Sequence, residues 1–167
     1  SGNSNVVVKD GKFVGPKGTN NDSGSAVNVQ KGATVTIEGG DFSKGKNKTL
    51  ANAGTLKVQG GTFDQDPSKY VVAGYKSILD GDKYIVKSDT YVTTAEELAA
   101  ALKSDAAEIN VVLYNDIDVA ISSLGQITGG SGEYKLGGEN TQKINIDLNG
   151  KRLNITTTYW SGIGAKN

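Results

Sequence analysis

Short runs in which apolar and polar residues alternate fill the first third of the chain, and one of them recurs. Ala33-Thr34-Val35-Thr36-Ile37-Glu38-Gly39-Gly40-Asp41-Phe42 aligns with Gly54-Thr55-Leu56-Lys57-Val58-Gln59-Gly60-Gly61-Thr62-Phe63. An earlier copy, Asn5-Val6-Val7-Val8-Lys9-Asp10-Gly11-Lys12-Phe13, keeps the alternation, a glycine and the closing phenylalanine. Val35 and Ile37, like Leu56 and Val58, lie two apart, the period of a strand with one face buried. The glycines then turn the chain and Phe re-enters the core. Unequal intervals between Phe13, Phe42 and Phe63 suit coils of one stack that differ through loop insertions on one side.

Shorter matching segments, Ala26-Val27-Asn28-Val29-Gln30 and Thr49-Leu50-Ala51-Asn52, precede two of the blocks. Each coil therefore holds two or more short strands separated by turns, which predicts an all-β chain built as a parallel β-helix with coils about 4.8 Å apart. Asn28 and Asn52 fall at comparable corners, either as a stacked amide ladder or because Asn tolerates turn dihedrals. Beyond Phe63, Asp80-Gly81 between apolar runs predicts a hairpin near 75–87, a cap for the exposed last coil. Thr94-Ala95-Glu96-Glu97 is a capping box that opens a helix near 94–104, with Leu98, Ala101 and Leu102 on its apolar stripe. Ile109 to Tyr114 reads as a buried strand and Gly125 to Thr141 as a polar, Gly-rich stretch in which Gly129-Gly130-Ser131-Gly132 and Gly137-Gly138 mark a flexible loop. Ile144 to Ile155 reads as two alternating strands around the Asn149-Gly150 turn.

Composition narrows the chemistry. The 167 residues include 23 Gly, 18 Lys+Arg against 18 Asp+Glu, and no His, Cys or Met. Zero net charge removes the long-range attraction that nucleic acid or an anionic membrane requires. Without His or Cys there is no Ser-His-Asp or Cys-His nucleophile, no imidazole or thiolate zinc site and no disulfide. No apolar run is long enough for a membrane span. The opening Ser1-Gly2 reads as that of a processed product or an excised piece.

Three sets of residues merit a site reading. Asp64 and Asp66, Asp80 and Asp82, and Asp116 and Asp118 each bring two carboxylates close together, so Asp64, Asp66, Asp116 and Asp118 are weak calcium candidates; turn and strand-end chemistry is the plainer explanation. None has EF-hand or nonapeptide spacing, and no other cofactor is expected. Tyr134, Tyr159 and Trp160 are candidate recognition aromatics for sugar rings or protein partners, with packing between coils as the plainer role for Trp160. Arg152, the only arginine, sits in an alternating strand where a solvated outward position suits it.

Thr94-Ala95-Glu96-Glu97-Leu98, Val111-Val112-Leu113, Asp116-Ile117 and Ile146-Asp147-Leu148-Asn149-Gly150-Lys151-Arg152-Leu153 resemble the opening of right-handed parallel β-helix domains of the pectate-lyase-like type, found in bacterial surface and adhesin-like proteins. Gly60-Gly61-Thr62-Phe63, Asp66-Pro67-Ser68-Lys69-Tyr70-Val71 and Gly74-Tyr75 resemble the way such domains close. The resemblance implies a fold and an extracellular or cell-surface location. It raises lyase chemistry, which needs calcium-binding aspartates beside a basic residue, and no such cluster is apparent around Asp116, Asp147 and Arg152.

The order is permuted. Residues 1–88 carry the closing features and 89–167 the opening ones, and Gly162-Ile163-Gly164-Ala165 runs into Val6-Val7-Val8 as one interrupted coil. Val6, Val7, Val8, Ile163 and Ala165 are therefore the expected assembly residues. Three arrangements satisfy this order: closure within one chain, head-to-tail assembly with a second copy, or one period of a tandem array. About five coils span ~24 Å, and residues 87–94, if extended, reach about 26 Å. The expected function is a non-catalytic structural or adhesive module, self-associating head to tail. The alternative is a carbohydrate-binding or carbohydrate-active β-helix, such as a surface glycan binder or a phage fibre or decoration protein, with a glycan or cell-surface protein as partner.

Overall fold

A computed structural model describes residues 4–17, 24–46, 48–128, 133–136 and 143–156. The chain is mostly β-strand and divides into two compact units, Ser1–Asp89 and Thr90–Asn167.

The first unit is built from three parallel ladders. β1 (Asn5–Val8), β4 (Thr34–Ile37) and β7 (Thr55–Val58) form one, with Asn5, Thr34 and Thr55 at one register position and Val8, Ile37 and Val58 at another. β2 (Lys12–Val14), β5 (Asp41–Ser43) and β8 (Gly61–Phe63) form the second. β3 (Val27–Val29) and β6 (Leu50–Asn52) form the third. The repeated alternation dictates this stacking: a shift of one residue would turn every apolar side chain outward. Ile37, Val58, Phe42 and Phe63 are fully buried, and Phe13, Phe42 and Phe63 stack with centroids 4.9 Å apart and planes within 10° of parallel.

The Gly-Gly pairs turn the chain between ladders, and each glycine answers a different constraint. A Cβ on Gly39 would lie 2.2 Å from the Lys9 carbonyl oxygen, and one on Gly60 2.0 Å from that of Glu38, so the first position has no room. Gly40 and Gly61 adopt φ of 109° and 104°, a region other residues rarely enter.

One end of this unit is closed. β10 (Lys83–Ser88) runs antiparallel to β8 and pairs with β9 (Tyr75–Asp80) around Gly81-Asp82, which ends the parallel stacking and sets Val86 over the core. A 3-10 turn at Ser68–Tyr70 brings Val71 beside Val58, and the Val72 N–H donates to the Val58 carbonyl.

In the second unit, β11 (Tyr91–Val92), β12 (Glu108–Leu113) and β16 (Lys143–Asp147) form a parallel sheet, and β13 (Ile117–Ala120) pairs in parallel with β17 (Leu153–Thr156). α1 (Ala95–Leu102) buries Leu98, Ala99 and Leu102 against Val92, Ile109, Val111, Leu113, Ile117 and Val119. The capping box is offset by one residue: the Thr94 hydroxyl accepts the Glu97 N–H, while the Glu97 carboxylate reaches back to the N–H and hydroxyl of Thr93. A second helical turn, α2 (Ile121–Leu124), buries Leu124 in the same core.

Three expectations are corrected. Gly125 to Thr141 holds an antiparallel pair, β14 (Gly125–Thr128) and β15 (Glu133–Leu136), not only loop. The strands flanking Asn149-Gly150 do not form a hairpin: β16 and β17 lie in different sheets, because Leu148–Arg152 turns a corner instead of reversing the chain. Asn28 lies opposite Ala51, so Asn28 and Asn52 make no ladder; the Asn52 side chain instead accepts the Gly54 N–H.

Candidate functional site

Most acidic candidates are occupied by their own neighbourhood. The Asp64 carboxylate accepts from the Lys83 ammonium and from the Lys44 N–H, and the bond from Lys83 holds its carboxyl below the ordinary aspartate range. Asp66 accepts the Ser68 N–H and hydroxyl, and the Ser68 hydroxyl is the main reason that its pKa is lowered. Asp116 accepts the Arg152 N–H at 2.9 Å. Asp118 accepts from the Asn154 amide at 2.9 Å and lies 3.9 Å from the Arg152 guanidinium, both side chains being mostly exposed. Asp147 accepts the Asn149 N–H, so it serves the corner and not a cluster with Asp116. Among the described residues no group of three or more acidic side chains is placed to hold a metal ion.

Of the aromatic candidates, Tyr134 lies on β15 in register with Ile127. Tyr159 and Trp160 fall outside the described residues, as do Ile163 and Ala165 of the expected assembly set.

Val6, Val7 and Val8 form β1, and their setting is unusual. Among the described residues β1 pairs only with β4, and β2 only with β5. The register with Val35 and Ile37 directs Val6 and Val8 to the core side, yet Val6 is 49% exposed, while its partner Val35 is buried. Among the described residues Phe13 ends the aromatic stack, with no ring beyond it. The other unit shows the same feature at its opposite end. Among the described residues β16 pairs only with β12, and β17 only with β13; Ile144, Ile146, Leu153 and Ile155 are half-buried against the core, and Leu148 is 44% exposed. Unpaired edges that carry inward-facing apolar residues are a ready template for another strand.

The alternation in β16 makes that strand legible in sequence, whereas a second feature emerges only from the fold. On the outer face of the second unit the Asn145 amide donates to Asn110 Oδ1 at 2.8 Å and to Glu108 at 2.9 Å, and Asn154 repeats the arrangement on Asp118. The signal was the recurrence of Asn or Asp at outward strand positions, visible only once β12 and β16 are set in register.

Among the described residues no helix is long and apolar enough to cross a membrane. No protein-family model, curated protein or solved structure matches this chain.

Proposed function

We propose that this chain is a non-catalytic structural module of the right-handed parallel β-helix type, which associates head to tail with further copies as an extracellular filament or tandem array. One observation carries the reading: among the described residues each unit is covered at one end and carries, at the other, strand edges without a partner that bear inward-facing apolar residues. The first unit is closed after its last ladder by β9–β10 and open before β1 and β2. The second begins with β11 and is covered on that side by α1, and among the described residues no strand pairs beyond β16 and β17. β4 and β12 each pair in parallel with an earlier and a later strand, whereas among the described residues β16 has no later neighbour and β1 no earlier one. Pairing them satisfies unpaired backbone groups and covers apolar side chains in one step.

Chain geometry favours a partner in trans. If β16 and β1 of the same chain were joined, β11 and β10 would stand at opposite ends of one stack, ~24 Å apart for about five steps. Only Asp89 and Thr90 connect β10 to β11, and the three peptide steps from Ser88 to Tyr91 reach about 11 Å. The acidic residues of the second unit are engaged in corners and outer-face bonds instead of facing one cleft, which supports a structural reading over a carbohydrate-active one. The extracellular setting is the contribution of the family resemblance.

Sedimentation velocity on the isolated chain tests the proposal. A concentration-dependent series of oligomers, with filaments in negative-stain electron micrographs, is expected. A compact monomer at the highest concentration reached would overturn it.

A further inference from the structure

We infer the register of the joint, which rests on the head-to-tail reading: Leu148 of one copy lies beside Val8 of the next, Leu153 beside Phe13, and Asn145 beside Asn5. Spacing across the turn sets it. In the first unit the last inward residue of one strand and the first inward residue of the next are Val8 and Phe13, Ile37 and Phe42, and Val58 and Phe63, five apart each time. In the second unit, Ile109 pairs with Ile144 and Val111 with Ile146, and continuing the alternation places Leu148 level with Leu113. Leu153 pairs with Ile117. Leu148 and Leu153 are also five apart, so one register aligns both strands at once, while a shift of two residues fits only one of them.

Three further observations agree with this register. Leu148 and Val6 are among the few large apolar residues left exposed, and both fall on the joint, at positions whose equivalents Leu113 and Val35 are buried. Backbone parity matches: Thr34 and Lys143, both outward residues of a later strand, donate to the carbonyls of Ser4 and Ala107 one position before their partners, and here the Asn5 and Val7 N–H groups meet the Ile144 and Ile146 carbonyls. Finally, Asn5 extends the existing Asn110–Asn145 pair into an amide ladder that crosses the joint.

The turns themselves are not copies. Asp10 stands where Gly39 and Gly60 stand in later blocks, and opposite it Asn149 and Gly150 both have positive φ, whereas in the Gly pairs only the second residue does. Pairing is therefore confined to β16 with β1 and β17 with β2. Outward, Asp147 faces Val7, and Arg152 faces Lys12.

The chain has no cysteine, so introduced thiols report pairing directly. Neighbouring Cα atoms about 4.8 Å apart lie within disulfide reach. Mixing V7C and D147C chains under mild oxidation is expected to give a disulfide-linked dimer, and pairing D147C with N5C or K9C is expected to give none. Because a strained disulfide fails for its own reasons, charge is the second probe: V7K, facing Asp147, tightens self-association about two- to five-fold, and V7D weakens it by a similar factor. Assembly with cross-linking at N5C or K9C, or with equal effects of V7K and V7D, would overturn the register while leaving head-to-tail association standing. A chain that neither assembles nor cross-links at any of these positions would overturn the association itself. A V7C/D147C double variant that closes within a monomer would keep the register and overturn the partner in trans.

Discussion

At the scale of single residues, the Gly-Gly pairs show how closely the parallel ladders approach one another. Gly60 has a backbone oxygen of the preceding turn where a Cβ would stand, whereas Asp10, at the same place in the first block, has no turn above it among the described residues and accepts the Gly11 N–H. Gly60→Ala is therefore expected to cost about 1–3 kcal/mol by forcing the turns apart, and Asp10→Ala to change stability by less than about 0.5 kcal/mol; urea unfolding of the two variants checks the contrast. Asp64 gives a pH prediction. The Lys83 ammonium favours its charged form in the folded state, so its folded pKa lies below the unfolded value. That stabilisation is complete above the unfolded pKa and disappears as pH falls through the folded one. Lys83→Met is expected to flatten the loss of stability below about pH 4, measured by thermal melts across the acid range.

Among the elements, α1 and the β9–β10 hairpin each end a run of parallel strands in their own unit: α1 packs on the core beside β11, and the hairpin continues the sheet antiparallel. α1 is short, and its start depends on Thr93, Thr94 and Glu97 bonding around the first turn. Removing the hydroxyl with Thr94→Ala is expected to cost about 1 kcal/mol, read as a lowered melting temperature. If the helix is a closing element and not part of the joint, self-association per folded chain should be unchanged. The hairpin closes by polarity: an antiparallel β10 against β8 breaks the run of parallel strands, and Val86 and Tyr84 cover the last of the stacked phenylalanines.

For the whole molecule, the consequence is a chain that finishes one stack and begins another. Deleting residues 1–13 removes β1 and most of β2, and with them the edge proposed to receive β16 and β17 of another copy. The truncated chain is expected to stay monomeric in sedimentation velocity at concentrations where the full chain forms a series. Its open second-unit edge should still cap the growing end of full-length oligomers, so adding it in excess should shorten them.

The periodicities, the Gly-Gly turns, the capping box and the phenylalanine positions were legible in the sequence because each rests on neighbours within about ten residues. Alternation fixes which side of a strand is apolar, and a glycine pair fixes where the chain turns. What lay beyond reach depends on which strand sits beside which. Asn149-Gly150 carries the local signal of a hairpin, yet β12 and β13 supply better partners for β16 and β17 than these two strands supply for each other. Asn28 and Asn52 look equivalent until the register moves one of them by a residue, and Asn110 and Asn145 become a pair only through it. The sequence by itself determined the strands, their inward faces and the stacking of like on like; only the tertiary structure decided where the ladders stop, since an edge is open or closed according to what the rest of the chain brings to it.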